Sequence, residues 1–189
     1  AQAIKSVVDL QPDEIVVVDS SPEEPPPLAG PVRRIWSAER MNPAAARNLG
    51  ADHATADYLL FVDSDVVLGD RAREVVRDCL RKRHRDIVSG AYLTDRSING
   101  AVDEFQNAVL RHRLLARNGE QTRHCSTSHL LVRREVYKRV GGFNPELETD
   151  EDIEFSARSF KLGHRVSADP LFEATHLKHF SVPSLLWDN

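Results

Sequence analysis

The sequence predicts an α/β fold, with a mixed, mostly parallel sheet flanked by helices. Three observations carry that expectation. Short β-branched runs such as "EIVVVD" (14–19) and "YLLFVD" (58–63) are apolar enough to be strands buried on both faces. Amphipathic stretches with a helical period stand between such runs. The two kinds alternate along the chain, as strand–helix–strand units do in a largely parallel sheet.

The elements follow in order. "AIKSVVDL" (3–10) reads as the end of a helix, and "EIVVVD" as the first strand. "SSPEEPPPLAGP" (20–31) is too rich in proline for a helix or a central strand and reads as a connection. "RRIW" (33–36) is a weaker strand. "NPAAARNLGADHA" (42–54) has helix start signals, with Asn42 as N-cap and Pro43 at the first helical position. After the strand at 58–63 come an amphipathic helix at 70–83, a strand at 86–93 and a helix at 101–117. "STSHLLVRR" (126–134) alternates like a strand, and "DEDIEFSARSFKL" (150–162) is a helix stopped by Gly163. "FEATHLKHF" (172–180) ends the readable pattern.

The chain has 189 residues, which suggests a single domain over 1–189 with room for a sizeable core. A net charge of −4 argues against a nucleic-acid-binding surface. The local basic run "RKRHR" (81–85) reads as a solvated helix end, with contact to a membrane surface or partner as the other reading. Cys79 and Cys125 are far apart and form no CxxC pair, which points to a reducing compartment rather than a disulfide framework. No apolar run reaches the length of a membrane span, and the opening residues do not read as a signal peptide. The expected location is cytoplasmic, with peripheral contact at the inner face of a membrane left open by the basic run.

The candidate chemistry lies in the acids. Ligands of such sheets bind beyond the carboxyl ends of the strands, and two strands end in aspartate, at Asp19 and Asp63. Asp63 and Asp65 are two apart, so on an extended chain they face the same side. Two convergent carboxylates repel unless a cation lies near them, and oxygen ligands suit Mg²⁺ or Mn²⁺, which in turn suits a diphosphate. The plainer reading is that both merely cap the next turn and helix. A second cluster, Asp150, Glu151 and Asp152 in "TDEDIEF" (149–155), falls at a helix start. Acids there complement the helix dipole, and Thr149 or Asp150 can serve as N-cap. The alternative is a general base held at the corner. In "THLKH" (175–179), His176 and His179 point to opposite faces if extended and to one face if helical. No third zinc ligand stands near them.

Taken together, these stretches resemble the family 2 glycosyltransferases of the GT-A fold, a Rossmann-like architecture, and the resemblance runs through nearly the whole chain. "EIVVVDSS", "AAARNLGADHATADYLLFVDSDVVL", "LLVRREVYKRVGGFNPELETDEDIEFSARSFKLGHRV" and "THLKHFSVPSLLW" carry it, in that order. It implies that Asp19 binds the nucleotide base and that Arg47 and Asn48 lie near the nucleotide. Asp63 would reach the ribose or a metal-bound water, or the metal itself, and Asp65 would bind the metal, Mn²⁺ or Mg²⁺. His176, preferred to His179, would be the third metal or diphosphate contact. Asp152 would be the catalytic base, with Glu151 in reserve, and "GGF" (141–143) would form part of the pocket beneath it.

The implied reaction is metal-dependent transfer of a sugar from a UDP- or GDP-linked donor to a hydroxyl of a glycan, lipid or small molecule, with inversion at the anomeric centre. Two departures from the family stand out: its usual first strand and Pro-x-x-Asn-like loop are not seen, and the chain stops soon after "LLW". The expectation is therefore a truncated domain. Two rival expectations stand beside the enzyme. One is a non-catalytic domain that binds a nucleotide-sugar or glycan. The other is a nucleotidyltransferase, whose Gly-rich phosphate loop is not found.

Overall fold

A computed structural model describes residues 2–28, 30–94, 100–115 and 124–178. The elements are α1 (Gln2–Val8), β1 (Ile15–Asp19), β2 (Val32–Trp36), α2 (Pro43–His53), β3 (Tyr58–Val62), β4 (Val66–Leu68) and α3 (Ala72–Lys82). Then follow β5 (Ile87–Tyr92), α4 (Ala101–Leu115), β6 (His129–Arg133), α5 (Arg134–Val140), α6 (Glu151–Lys161) and β7 (Val166–His176). Every expected strand and helix up to α4 has its counterpart. The short strand β4, the short helix α5 and the long run of β7 from Val166 were not legible in the periodicity.

The strands form two sheets, β1–β2 and the five-stranded β3-β6-β5-β7-β4. The α/β class stands, and the sheet is mixed. Its strand directions depart from the expectation, because β1–β2 and β5–β7 are parallel while β3–β6, β5–β6 and β4–β7 are antiparallel. The reason is connectivity. Alternation yields parallel pairs only when each helix returns the chain to the next strand in the same direction. Here β3 passes straight into β4 through a tight turn, and β4 pairs with β7 instead of β3. The antiparallel β6 sits between β3 and β5.

Apolar burial on both faces of the larger sheet explains why its strands read as continuous apolar runs. On one face, Leu59, Ile87, Leu130, Val132 and Val166 pack with Val136, Tyr137, Phe143 and Phe155 from the α5–α6 side. On the other, Val66, Val88, Leu131, Phe172 and Ala174 pack with Val75 and Cys79 of α3. Neighbouring residues of β6 alternate between the two clusters, as a period of two requires. Both cysteines are buried and free.

Local signals explain most boundaries. Asn42 caps α2, its side chain accepting from the Ala45 amide at 2.8 Å, and Pro43 opens the helix. At α6 the outcome differs: Asp150 occupies the N-cap position with φ at 62°, and its side chain makes no capping bond. Gly163 takes the left-handed conformation, φ 81°, that ends α6. The basic run after α3 is tied down locally. Arg81 and Lys82 pair with Asp78, Arg83 with Asp57 and Arg85 with Asp169, as a solvated helix end would be. No helix among the described residues is long and apolar enough to cross a membrane.

Candidate active site

The turn Asp63–Ser64–Asp65 joins β3 to β4, and three backbone bonds fix it. The Asp63 amide donates to the Ser128 carbonyl at 3.0 Å, and the Val66 amide to the Asp63 carbonyl at 3.1 Å. Just beyond β7, the Leu177 amide donates to the Asp65 carbonyl at 2.7 Å. Because Val66 pairs with His176 across β4–β7, the end of β7 is held against the acidic turn. His176 Nε2 lies 3.3 Å from Asp65 Oδ2. His176 closes β7, so the segment is extended as far as that residue. His179 lies outside the described residues.

Asp63 faces elsewhere. Its Oδ1 takes the Arg47 Nη2 of α2 at 2.7 Å, and Arg47 Nη1 reaches Glu151 Oε1 at 2.6 Å. One guanidinium thus spans both acidic clusters. Its side chain is 13% exposed, and although burial works against its charge, the carboxylates of Asp63 and Glu151 raise its pKa. Burial lifts the Asp63 carboxyl above its ordinary value, against the pull of Arg47. Glu151 Oε1 also accepts from Thr127 Oγ1 at 3.3 Å.

Asp152 is in the first turn of α6. Burial raises its carboxyl, and the neighbouring charge of Glu151 adds to the effect. The segment before β6 straps this turn down: the Cys125 amide donates to Ser156 Oγ at 2.9 Å, and Ser156 Oγ donates to the Asp152 carbonyl at 2.7 Å. Three residues later in the same segment, the Ser128 carbonyl receives the Asp63 amide. Residues 125–128 therefore connect both acidic clusters, a role the sequence reading missed, although the polar run "CSTS" before an apolar strand was its signal.

Asn48, beside Arg47, has its side chain engaged by the glycine turn. Its Oδ1 accepts from the Phe143 amide at 2.9 Å and from the Tyr137 hydroxyl, while Nδ2 donates to the Phe143 carbonyl at 2.8 Å. Gly141 and Gly142 have φ of 89° and 70°, the positive values a tight turn needs.

Asp19 closes β1. Its Oδ1 accepts from the Ser21 hydroxyl and amide at 2.7 and 3.0 Å, which hold its carboxyl below the usual range. It lines a cavity of about 580 Å³ together with Val18, Ser21, Arg40, Met41 and Ser64. Ser64 is the middle of the acidic turn, so Asp19 and that turn share one cavity.

Among the described residues no group of three or more acidic, histidine or cysteine side chains is arranged to hold a metal ion. The paired donors are Asp65 and His176, with Asp63 turned to Arg47. A carboxylate and an imidazole fit a divalent ion that takes its remaining ligands from water and phosphate oxygens. The arrangement therefore sets a carboxylate, Asp19, in a cavity, an Asp65–His176 pair beside it, and Asp152, a half-buried carboxylate of raised pKa, across Arg47.

The solved structures that share this fold bear on that arrangement. The mannosyltransferase PcManGT from Pyrobaculum calidifontis, in complex with GDP-Man and Mn²⁺, is 17% identical with a TM-score of 0.65, over 93% of this chain and 52% of that one. GalNAc-T7 with UDP, GalNAc and Mn²⁺ is 15% identical with a TM-score of 0.69, over 95% and 40%. S. aureus TarS 1–349 in complex with UDP-GlcNAc is 16% identical with a TM-score of 0.62, over 98% and 58%. The chain thus spans roughly half the length of these structures. No curated protein matches it. The family model described as Glycosyl transferase family 2 matches residues 1–141, from α1 through both Asp19 and the acidic turn to the glycine turn after α5, and so the chain belongs to glycosyl transferase family 2.

Proposed function

We propose that this domain transfers a sugar from a nucleotide-diphosphate sugar to an acceptor hydroxyl, with a divalent cation and with inversion. The observation that carries this is the Arg47 bridge, which fastens the acidic turn to the first turn of α6 through bonds of 2.7 and 2.6 Å. A donor site and a base must be held at fixed separation for the acceptor to attack from the far face. Structures of similar fold that contain GDP-Man, UDP or UDP-GlcNAc support a nucleotide-linked donor, UDP or GDP being the candidates.

Asp19 accepts a hydrogen bond from the nucleotide base in the shared cavity. Asp65 and His176 hold the cation, Mn²⁺ or Mg²⁺, and Asp63 faces the ribose from its bond to Arg47. When bound, the cation neutralises the negative charge that builds on the departing diphosphate. Asp152 accepts the acceptor's proton, and a raised pKa brings a carboxylate closer to the value a base needs near neutral pH. Glu151 is the weaker candidate, because its Oε1 is held by Arg47 and Thr127. Asn48 acts on the glycine turn beneath the site. The acceptor is a hydroxyl of a glycan, a lipid or a small molecule.

The test is Asp152→Asn, assayed for turnover of UDP- and GDP-sugars and separately for donor binding. The reading expects turnover to fall by about 10²–10⁴-fold while donor affinity holds. Unchanged turnover would remove Asp152 as the base. Loss of neither, in a chain that binds donor and does not turn it over, would describe a binding domain instead.

A further inference from the structure

Tyr92 is the last residue of β5 and pairs in register with Ala174 of β7. His176 lies two residues beyond Ala174, on the same face of that strand. The Tyr92 ring sits 5.2 Å from the His176 imidazole, with 34° between the planes. On its other side it lies 5.7 Å from His129, which in turn meets Phe172 edge-on at 5.2 Å. Four rings therefore run from the core to the residue facing Asp65.

The inner end of this stack is rigid. His129 is 1% exposed. Its Nε2 donates to the Phe172 carbonyl at 3.1 Å, which leaves Nδ1 to accept from Ser128 Oγ at 3.0 Å. Gly90 makes the space: a Cβ there would fall 2.0 Å from the His129 ring. Tyr92 is itself buried, and its hydroxyl reaches the Ser128 side chain. Ser128 also accepts the Asp63 amide. The stack thus touches the site at both of its strands, β3 through Ser128 and β7 through His176.

We propose that Tyr92 is a positioning residue: its ring fixes the imidazole plane of His176 so that Nε2 faces Asp65. A ligand held in one orientation binds without the entropy loss of freezing it, and partners that orient metal-binding histidines typically govern affinity by about 10–100-fold. Tyr92 touches neither nucleotide nor sugar in this account. It rests on the proposal that Asp65 and His176 hold the cation.

The experiment titrates Mn²⁺ into this chain with UDP or GDP present and reads free Mn²⁺ by electron paramagnetic resonance. Folding of each variant is checked by thermal melting. Tyr92→Leu is expected to weaken Mn²⁺ binding by about 10–100-fold, and Tyr92→Phe, which keeps the ring, to restore it. In a His176→Ala background the Leu substitution is expected to add nothing. If Tyr92→Leu does not fold, Tyr92→Met, a flexible apolar side chain, takes its place. Wild-type affinity in a folded Leu or Met variant would overturn the proposal. So would loss in the Phe variant, or an undiminished effect without His176. A wild-type chain that binds no Mn²⁺ with either nucleotide, or a His176→Ala variant that binds like wild type, would overturn the cation site first and Tyr92 with it.

Discussion

Replacing Arg47 with methionine keeps the length of the side chain and removes the charge that both acidic clusters share. The structure gives the cost. Arg47 and Glu151 are 13% and 11% exposed and bonded at 2.6 Å, and breaking one side of a buried, hydrogen-bonded pair costs about 3–5 kcal/mol. Asp63 is 36% exposed, so its bond to Arg47 is screened and adds ~1 kcal/mol or less. The expected destabilisation is therefore about 3–6 kcal/mol, most of it from Glu151 left unpaired. Urea unfolding at pH 7 measures it. A double-mutant cycle with Glu151→Gln isolates the pair, with an expected coupling of about 1–3 kcal/mol. Because Arg47 also draws the Asp152 carboxyl down, its removal should move the acid limb of turnover to higher pH. A destabilisation below ~1 kcal/mol together with no coupling would show that the bridge does not bind the two clusters together.

Two further outcomes follow from burial. Desolvation lowers His129 from 6.5 to about 4, worth about 3 kcal/mol at ~1.4 kcal/mol per pH unit. The unfolded chain then binds the extra proton between those values, so this contribution is intact above pH 6.5 and is lost as pH falls toward about 4. Urea midpoints for wild type and His129→Gln between pH 7 and 4 should diverge in slope, the variant being flatter; parallel slopes would contradict a neutral buried imidazole. Gly142→Ala places a Cβ 2.9 Å from Asn48 Oδ1 at φ 70°, and thermal melting should record a loss of about 1–3 kcal/mol.

Much of the acidic turn and of α2 before it was legible because the signals are local. A proline and asparagine start α2, and two aspartates end an apolar run, so Asn42, Asp63 and Asp65 could be placed from the chain alone. Strand direction was not legible, since a period of two marks a strand and says nothing of its neighbour. Hence β4 and β6 were free to run antiparallel to the strands beside them. The partition of the acids was hidden for the same reason: nothing near Asp63 announces that it pairs with Arg47, or that His176 meets Asp65. Those contacts are made across β7 and α2, between stretches distant in sequence. Tyr92 and His129 read as ordinary strand residues, and only the registers of β5 with β7 and of β6 with β3 bring them together beside His176 and the acidic turn. Of the two expected caps, Thr149 and Asp150, Asp150 takes the N-cap position of α6, but in a left-handed conformation whose side chain makes no capping bond.

The central claim is that the turn between β3 and β4 faces a nucleotide diphosphate through a cation. Calorimetric titration of UDP and GDP, each with and without Mn²⁺, against this chain and Asp65→Ala tests it most directly. The account predicts that one of the two nucleotides binds, that Mn²⁺ strengthens its binding, and that Asp65→Ala loses the metal-dependent part while remaining folded. Binding that is unaffected by Mn²⁺ and unchanged in Asp65→Ala would contradict it.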